Sequence, residues 1–556
     1  MTKSKKKVVS VLAVSCLIGA MAPVQMNHVK AKATSTSLSY EFTGEDAKMP
    51  GYAQGTISLT AKKDGKYHLY WANNSKALSG YYEIATLTVK KGQTVFFTFG
   101  DQTAIPADAT KVIAVEDSKA KDGVNVKDAV AVYQIPEDKL LGRKSKDALY
   151  TFNSYSDIHI DEEHYGQTPA YWWMHSEQHW AQALEYAKNM NTDFIVSSGD
   201  QVTNASLANL ENEWKAYQYI LSQSDYVNPV WESSGNHEVR QDGSVNKELK
   251  TFIAGSGLDS TEQTLVEGKP YYSITEPKTG DLFLFMALES GYRPAKYDEF
   301  STEQLDWLEK MLQDNYGKGK NIYLVQHALI SGYGAGDDTE KPYYGGSINP
   351  SLKSAKRFTS IIEKYPNIIW ISGHTHEAYE SGYNYSNNNN TSCHMIHNSS
   401  IGNPTHINEA DHSLDYTFFE NQSQGYYVQT FEDAIIFSGA NICDQKIYPA
   451  YSYIIPGQTK QVNAVKTPAY SVVTTEVTPE MLRSTLANVK TMLGLEYQYS
   501  SYEQYQTLKK CYYEYKDCDI NQLSSKERKQ AYSMLSSYIK ELQKIKAQFP
   551  LLTYLR

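Results

Sequence analysis

Asn367-Ile368-Ile369-Trp370-Ile371-Ser372-Gly373-His374-Thr375-His376 is the stretch on which the reading of this chain turns. Its apolar half reads as a buried strand, which puts Gly373-His374-Thr375-His376 in the turn just past the strand end. Two imidazoles spaced i and i+2 on extended backbone point to the same side. Neutral imidazole is a common ligand for zinc, iron and nickel. Taken alone, the pair fits two polar loop histidines equally well.

Working outward, the same strand-then-loop setting recurs. Asp157-Ile158-His159 follows the apolar run 149–155, and Gly199-Asp200 follows 193–197. Gly235-Asn236-His237-Glu238 follows 228–233, and Gln326-His327 follows 321–325. Helical patterns at 177–190, 209–221, 302–312 and 354–364 lie among them, with a further strand at 282–288. Such alternation predicts α/β layers, in which sites form at the C-terminal ends of strands.

These five pieces, in this order, resemble the calcineurin-like metallophosphoesterase family over roughly residues 146–440. The resemblance implies a β-sandwich flanked by helices and carrying two metals. Asp200 would bridge them. Asp157, His159 and His376 would complete one metal, and Asn236, His327 and His374 the other. His237 would contact the phosphate and assist the leaving group. Hydrolysis of a phosphomonoester or phosphodiester needs charge neutralised on phosphoryl oxygens and a nucleophile at neutral pH. Two metals ~3.5–4 Å apart with a bridging hydroxide supply both. Imidazole, carboxylate and amide oxygen together suit two divalent or mixed-valence ions of Fe, Zn or Mn. Glu238 is either an orienter behind these ligands or a solvated loop acid. The chain departs from purple acid phosphatases, which place a tyrosine where Thr203 stands and a glycine where His159 stands, so no iron–tyrosinate site is expected. It departs from protein phosphatases, whose aspartate at the Thr203 position pairs with the catalytic histidine. Asn204 is a candidate substitute.

The rest of the chain frames this region. Lys3, Lys5, Lys6 and Lys7, an apolar run from Val8 to Pro23, and Ala31-Lys32-Ala33 read as a secretory signal cleaved after Ala33. Cleavage removes six lysines and no acids, taking the net charge from −10 to −16. An acidic surface argues against bulk nucleic-acid binding. No later run is long enough to span a bilayer. Residues 34–145 read as an accessory β-sandwich-like domain with strands near 55–60, 66–71, 82–89, 93–99 and 129–133. Residues 146–455 read as the catalytic domain, 456–477 as a linker and 478–556 as a helical region. Cys393, Cys443, Cys511 and Cys518 remain after cleavage, too few for a disulfide scaffold, with Cys393–Cys443 one conceivable pair. Tyr165, Tyr171, Trp172, Trp173 and His175 in one loop, and Tyr333, Tyr343 and Tyr344 in another, either stack on a substrate or pack the loops. His394, His397, His406 and His412 read as structural or rim residues.

The expected product is a secreted or envelope-associated phosphohydrolase acting on small phosphorylated molecules or the cell envelope. The alternative is a non-catalytic surface protein on the same scaffold. A dead scaffold has no reason to keep every ligand, which favours the enzyme.

Overall fold

The structure, a computed structural model, describes residues 35–161, 175–204, 206–239, 245–258, 264–265, 269–290, 299–336, 347–386, 393–407, 414–415, 422–458, 477–493 and 503–548. The signal, much of the linker, and the loop aromatics Tyr165, Tyr171, Trp172, Trp173, Tyr343 and Tyr344 lie outside the described residues, as does His412.

Two sheets form the middle of the chain. One has six strands in the order Val230–Glu232, Phe194–Ser197, Tyr150–Tyr155, Gln424–Thr430, Ala434–Asn441, Lys446–Pro456. The other has seven, running Thr264–Leu265, Tyr272–Thr275, Leu282–Phe285, Ile322–Ala328, Ile369–Gly373, His394–His397, Tyr385–Ser386. Their inner faces meet edge to face: the Phe152 ring lies 5.6 Å from Phe283 and 5.7 Å from Tyr323, both near perpendicular. Helices cover the outer faces. Thr302–Asn315 starts where the Ser301 side chain accepts from the Gln304 N–H, and buries Leu305, Leu308 and Leu312 on one stripe. Ser176–Met190 ends at Asn191, whose φ of 51° is a left-handed cap. No described helix is long and apolar enough to cross a membrane.

Tyr150–Tyr155, Phe194–Ser197 and Val230–Glu232 pair in parallel, as do Ile322–Ala328 and Ile369–Gly373. Their C-terminal ends therefore lie together, and the ligand-bearing loops leave from that edge.

Residues 37–134 hold a three-stranded and a four-stranded antiparallel sheet with Tyr40, Ile57 and Leu59 packed on Leu69, Trp71 and Val112. Two of the strands, Ser37–Phe42 and Lys111–Glu116, were not expected from sequence. This region docks on the outer edge of the six-stranded sheet. Tyr82 N–H donates to Ile447 O at 2.9 Å, Ile447 N–H to Gly80 O at 2.8 Å, and Ala104 N–H to Ser452 O at 2.8 Å. Tyr52, Ala104 and Ala107 pack there with Phe431, Ala434, Ile436 and Ile454.

The C-terminal helices are Pro479–Leu493, Glu503–Tyr515 and Ser525–Gln548, around their own core of Leu482, Leu508, Leu535 and Leu542. The capping box at Ser524 forms: Ser524 N–H donates to Glu527 Oε2 at 2.7 Å, and Glu527 N–H to Ser524 Oγ at 3.3 Å. Cys393, Cys443, Cys511 and Cys518 are free thiols, so the conceivable Cys393–Cys443 pair is not formed.

Candidate metal centre

The strand ends deliver all eight singled-out side chains to one buried cluster, each 6% exposed or less. Donor atoms of Asp157, His159 and His376 lie within 4.8 Å of one another, as do those of Asp200, His327 and His374, and those of His159, Asp200 and His237. His376 Nε2 is 3.1 Å from Asp157 Oδ1, and His327 Nε2 is 3.1 Å from Asp200 Oδ2. Asn236 Oδ1 sits 3.2 Å from His327 Nε2 and 2.7 Å from His374 Nδ1. Asp200 Oδ2 also faces His159 Nε2 at 3.8 Å and His237 Nε2 at 4.0 Å. Asp200 therefore stands between the two ligand groups.

The local backbone differs from the expectation of extended i, i+2 pairs. Asp157, His159, Asp200, His374 and His376 have φ of 53°, 56°, 56°, 87° and 57°. Left-handed turns, not strand alternation, turn these side chains together. Non-glycine residues hold such φ values only where surrounding contacts over-determine them. The glycines before the ligands are required by close approach. A Cβ on Gly235 would overlap Asp200 Oδ1, and one on Gly373 would overlap Ser156 Oγ.

The hydrogen bonds of the rings test whether a cation fits. His376 Nδ1–H donates to Asn403 O at 2.9 Å, and His327 Nδ1–H to Ser198 O at 3.0 Å. In a neutral ring each Nε2 then turns a lone pair toward a carboxylate oxygen. His159 Nε2 and His376 Nε2 also face each other at 3.0 Å. Lone pairs converging on lone pairs need positive charge among them. Burial opposes an imidazolium at His327, but Asp200 and Asp157 outweigh it and push the ring up to about 9. Burial likewise opposes ionisation of Asp157 and Asp200, yet the imidazoles hold both carboxyls below the usual range. His159, under the same burial, is held below its ordinary value. The three rings cannot all supply the charge as protons; metal ions suit the donor set.

Around the ligands lies a frame of hydrogen bonds. Glu238, one of the two readings left open, is fully buried and not solvated. Its carboxylate accepts from the N–H groups of Gly235 at 2.6 Å, Gln201 at 2.9 Å and Asp200 at 3.0 Å, tying two ligand loops together. His237 Nδ1–H donates to the Thr203 carbonyl at 2.7 Å. Position 203 thus does partner the histidine, through its backbone. Asn204 is not the substitute partner for the ring: its Nδ2 donates to the His237 carbonyl at 3.0 Å and to Glu248 Oε1 at 2.6 Å. Residues 398–405 strap the outside. Gly402 N–H and Ser400 Oγ–H both donate to Asp157 O, at 2.9 and 2.8 Å, and Thr405 N–H to His376 O at 2.9 Å. Glu248, on the helix Val245–Gly255, was missed from sequence, because an isolated helical acid looks like any surface polar until the fold buries it behind the ligands. His397 is fully buried beneath the His374 turn, where burial pushes its imidazolium down to about 3.

Residues 151–378 match the family described as calcineurin-like phosphoesterase. The chain carries a calcineurin-like phosphoesterase domain. The matched segment contains Asp157, His159, Asp200, Asn236, His237, His327, His374 and His376. No curated protein matches the chain. Among solved structures, a dimetal phosphatase from Danio rerio is 13% identical, with a TM-score of 0.40, over 56% of this chain and 100% of that one. A purple acid phosphatase from yellow lupin (Lupinus luteus) seeds is 13% identical, with a TM-score of 0.39, over 79% of this chain and 77% of its own.

Proposed function

We propose that the phosphoesterase domain is a binuclear-metal phosphohydrolase, cleaving phosphomonoesters or phosphodiesters of small molecules or of the cell envelope, in an exported protein. Asp157, His159 and His376 hold one ion, Asn236, His327 and His374 the other, and Asp200 reaches both. The observation that carries this reading is the position of the Asp200 carboxylate, 3.1 Å from His327 on one side and 3.8 Å from His159 on the other. When bound, the ions neutralise phosphoryl charge and activate water at neutral pH. Fe, Zn or Mn suits the donors. His237, whose Nδ1–H is held by the Thr203 carbonyl, turns Nε2 toward the same space; as an imidazolium it would give the Nε2 proton to the departing oxygen and be left neutral. Its partner is a neutral carbonyl where protein phosphatases have a carboxylate, which points to small or envelope-derived esters over phosphoproteins.

Metal analysis of purified protein, paired with assays on mono- and diesters, tests the proposal. Two ions per chain and turnover that disappears on chelation are expected. Full activity after exhaustive chelation overturns it. Export is tested separately: the mature protein should begin at Thr34.

A further inference from the structure

Thr375 sits between His374 and His376, which serve different ligand groups. Its hydroxyl has two partners, Gly336 O at 2.8 Å and His397 Nε2 at 2.8 Å. A carbonyl only accepts, so the hydroxyl donates to Gly336 and accepts from His397 Nε2–H. That fixes the tautomer of the neutral His397 ring. Its bare Nδ1 then accepts from Ser372 Oγ–H at 3.1 Å. Every proton in this chain has one direction, and Ser372, Thr375 and His397 are all buried. Gly336 is pressed so close that a Cβ there would lie 2.5 Å from His397 Nδ1, and its own N–H donates to Tyr383 O at 2.7 Å.

We propose that His397 and Thr375 are positioning residues that hold the Gly373–His376 turn in its metal-binding form. The inference rests on the metal-centre reading above. The turn needs holding because His374 and His376 both keep left-handed φ values, 87° and 57°. The hydroxyl anchor adds to the bond that Thr375 O accepts from Thr405 Oγ–H at 3.2 Å, and together they fix the peptide groups on either side of Thr375. Since the two histidines belong to different ligand groups, release of the hydroxyl anchor weakens both sites together.

The test is a calorimetric titration of full-length, metal-stripped protein with Mn(II). Thr375→Val removes the hydroxyl and keeps the shape; Thr375→Ser keeps the hydroxyl. His397→Phe removes the donor and keeps the ring; His397→Gln restores a donor near the Nε2 position. Thr375→Val and His397→Phe are each expected to weaken Mn(II) binding at both sites by about 10–100-fold, as outer-shell partners do. Thr375→Ser and His397→Gln should recover most of the loss. The double variant Thr375→Val/His397→Phe should be no weaker than the worse single one, because one chain is broken once. Unchanged Mn(II) affinity with only a lower Tm, additive losses, or Ser and Gln variants no better than Val and Phe, overturn the proposal. Should His397→Phe fail to fold, the near-isosteric Thr375→Val decides alone, with circular dichroism to verify its fold. Wild-type protein that takes up no Mn(II), Zn(II) or Fe(II) overturns the metal-centre reading itself, and this proposal with it.

Discussion

The ligand cluster and the seam between the N-terminal strands and the phosphoesterase domain are both buried, and they are made of opposite materials. In the cluster, carboxylates and imidazoles crowd one another on left-handed turns inside a frame of hydrogen bonds. At the seam, backbone bonds extend a sheet edge over Tyr52, Ala104, Phe431, Ile436 and Ile454. The first arrangement is unfavourable until positive charge enters it; the second is favourable as it stands. Changes in the cluster should therefore fall on metal and turnover, and changes at the seam on stability.

The sharpest way to break that contrast is Asp200→Asn. It removes the charge shared by both ligand groups and should lower turnover on the order of 10³-fold, several kcal/mol of charge stabilisation, with metal lost from both positions. In thermal unfolding, the metal-free variant should lose, relative to metal-free wild type, only the modest stabilisation that the imidazoles give the Asp200 carboxylate, and the fold should stay intact. A collapse of the fold would mean that the cluster is structural after all. His237→Ala comes next. It should slow alkyl ester hydrolysis by ~10²–10⁴-fold and nitrophenyl ester hydrolysis far less, because a nitrophenolate leaves without a proton. Rates across a leaving-group series check this, and equal losses throughout would reduce His237 to a phosphate contact.

Ile454→Ala probes the seam. Deleting a buried isoleucine there should cost about 2–5 kcal/mol of stability, read by denaturant unfolding, with kcat/KM unchanged at a temperature where the variant is folded. The smallest effect belongs to Arg143→Ala. Arg143 spans the same seam, 2.9 Å from Asp433 and 3.4 Å from Glu432. Both acids are well exposed, so the loss should stay below about 1 kcal/mol and shrink further in salt. A larger loss from Arg143 than from Ile454 would reverse the account of what holds the seam.

The residue types of the candidate cluster, their order and their strand-end setting were legible because each lies beside a continuous apolar run that period and length identify. The mixed α/β sheets were legible for the same reason. What periodicity cannot carry is the sign of φ, so the left-handed turns at His374 and His376 read as extended backbone. Burial of isolated polar residues was equally hidden: Glu238 looks like any loop acid until Gly235 and Asp200 fold around it. Lys111–Glu116, buried at four consecutive positions, shows no alternation to betray which face it packs.

One pairing has a bearing on how the protein is made. Strand Tyr150–Tyr155 opens the phosphoesterase domain and lies against Gln424–Thr430, where Asn153 bonds Tyr426 from 273 residues away. The last ligand, His376, leaves the ribosome before that partner strand does. A nascent chain stopped after residue 378, the end of the family match, would hold every ligand and lack the neighbour of its first strand. Long-range pairing of this kind is slow to form. The candidate metal centre is thus complete in sequence before the sheet that carries it can close.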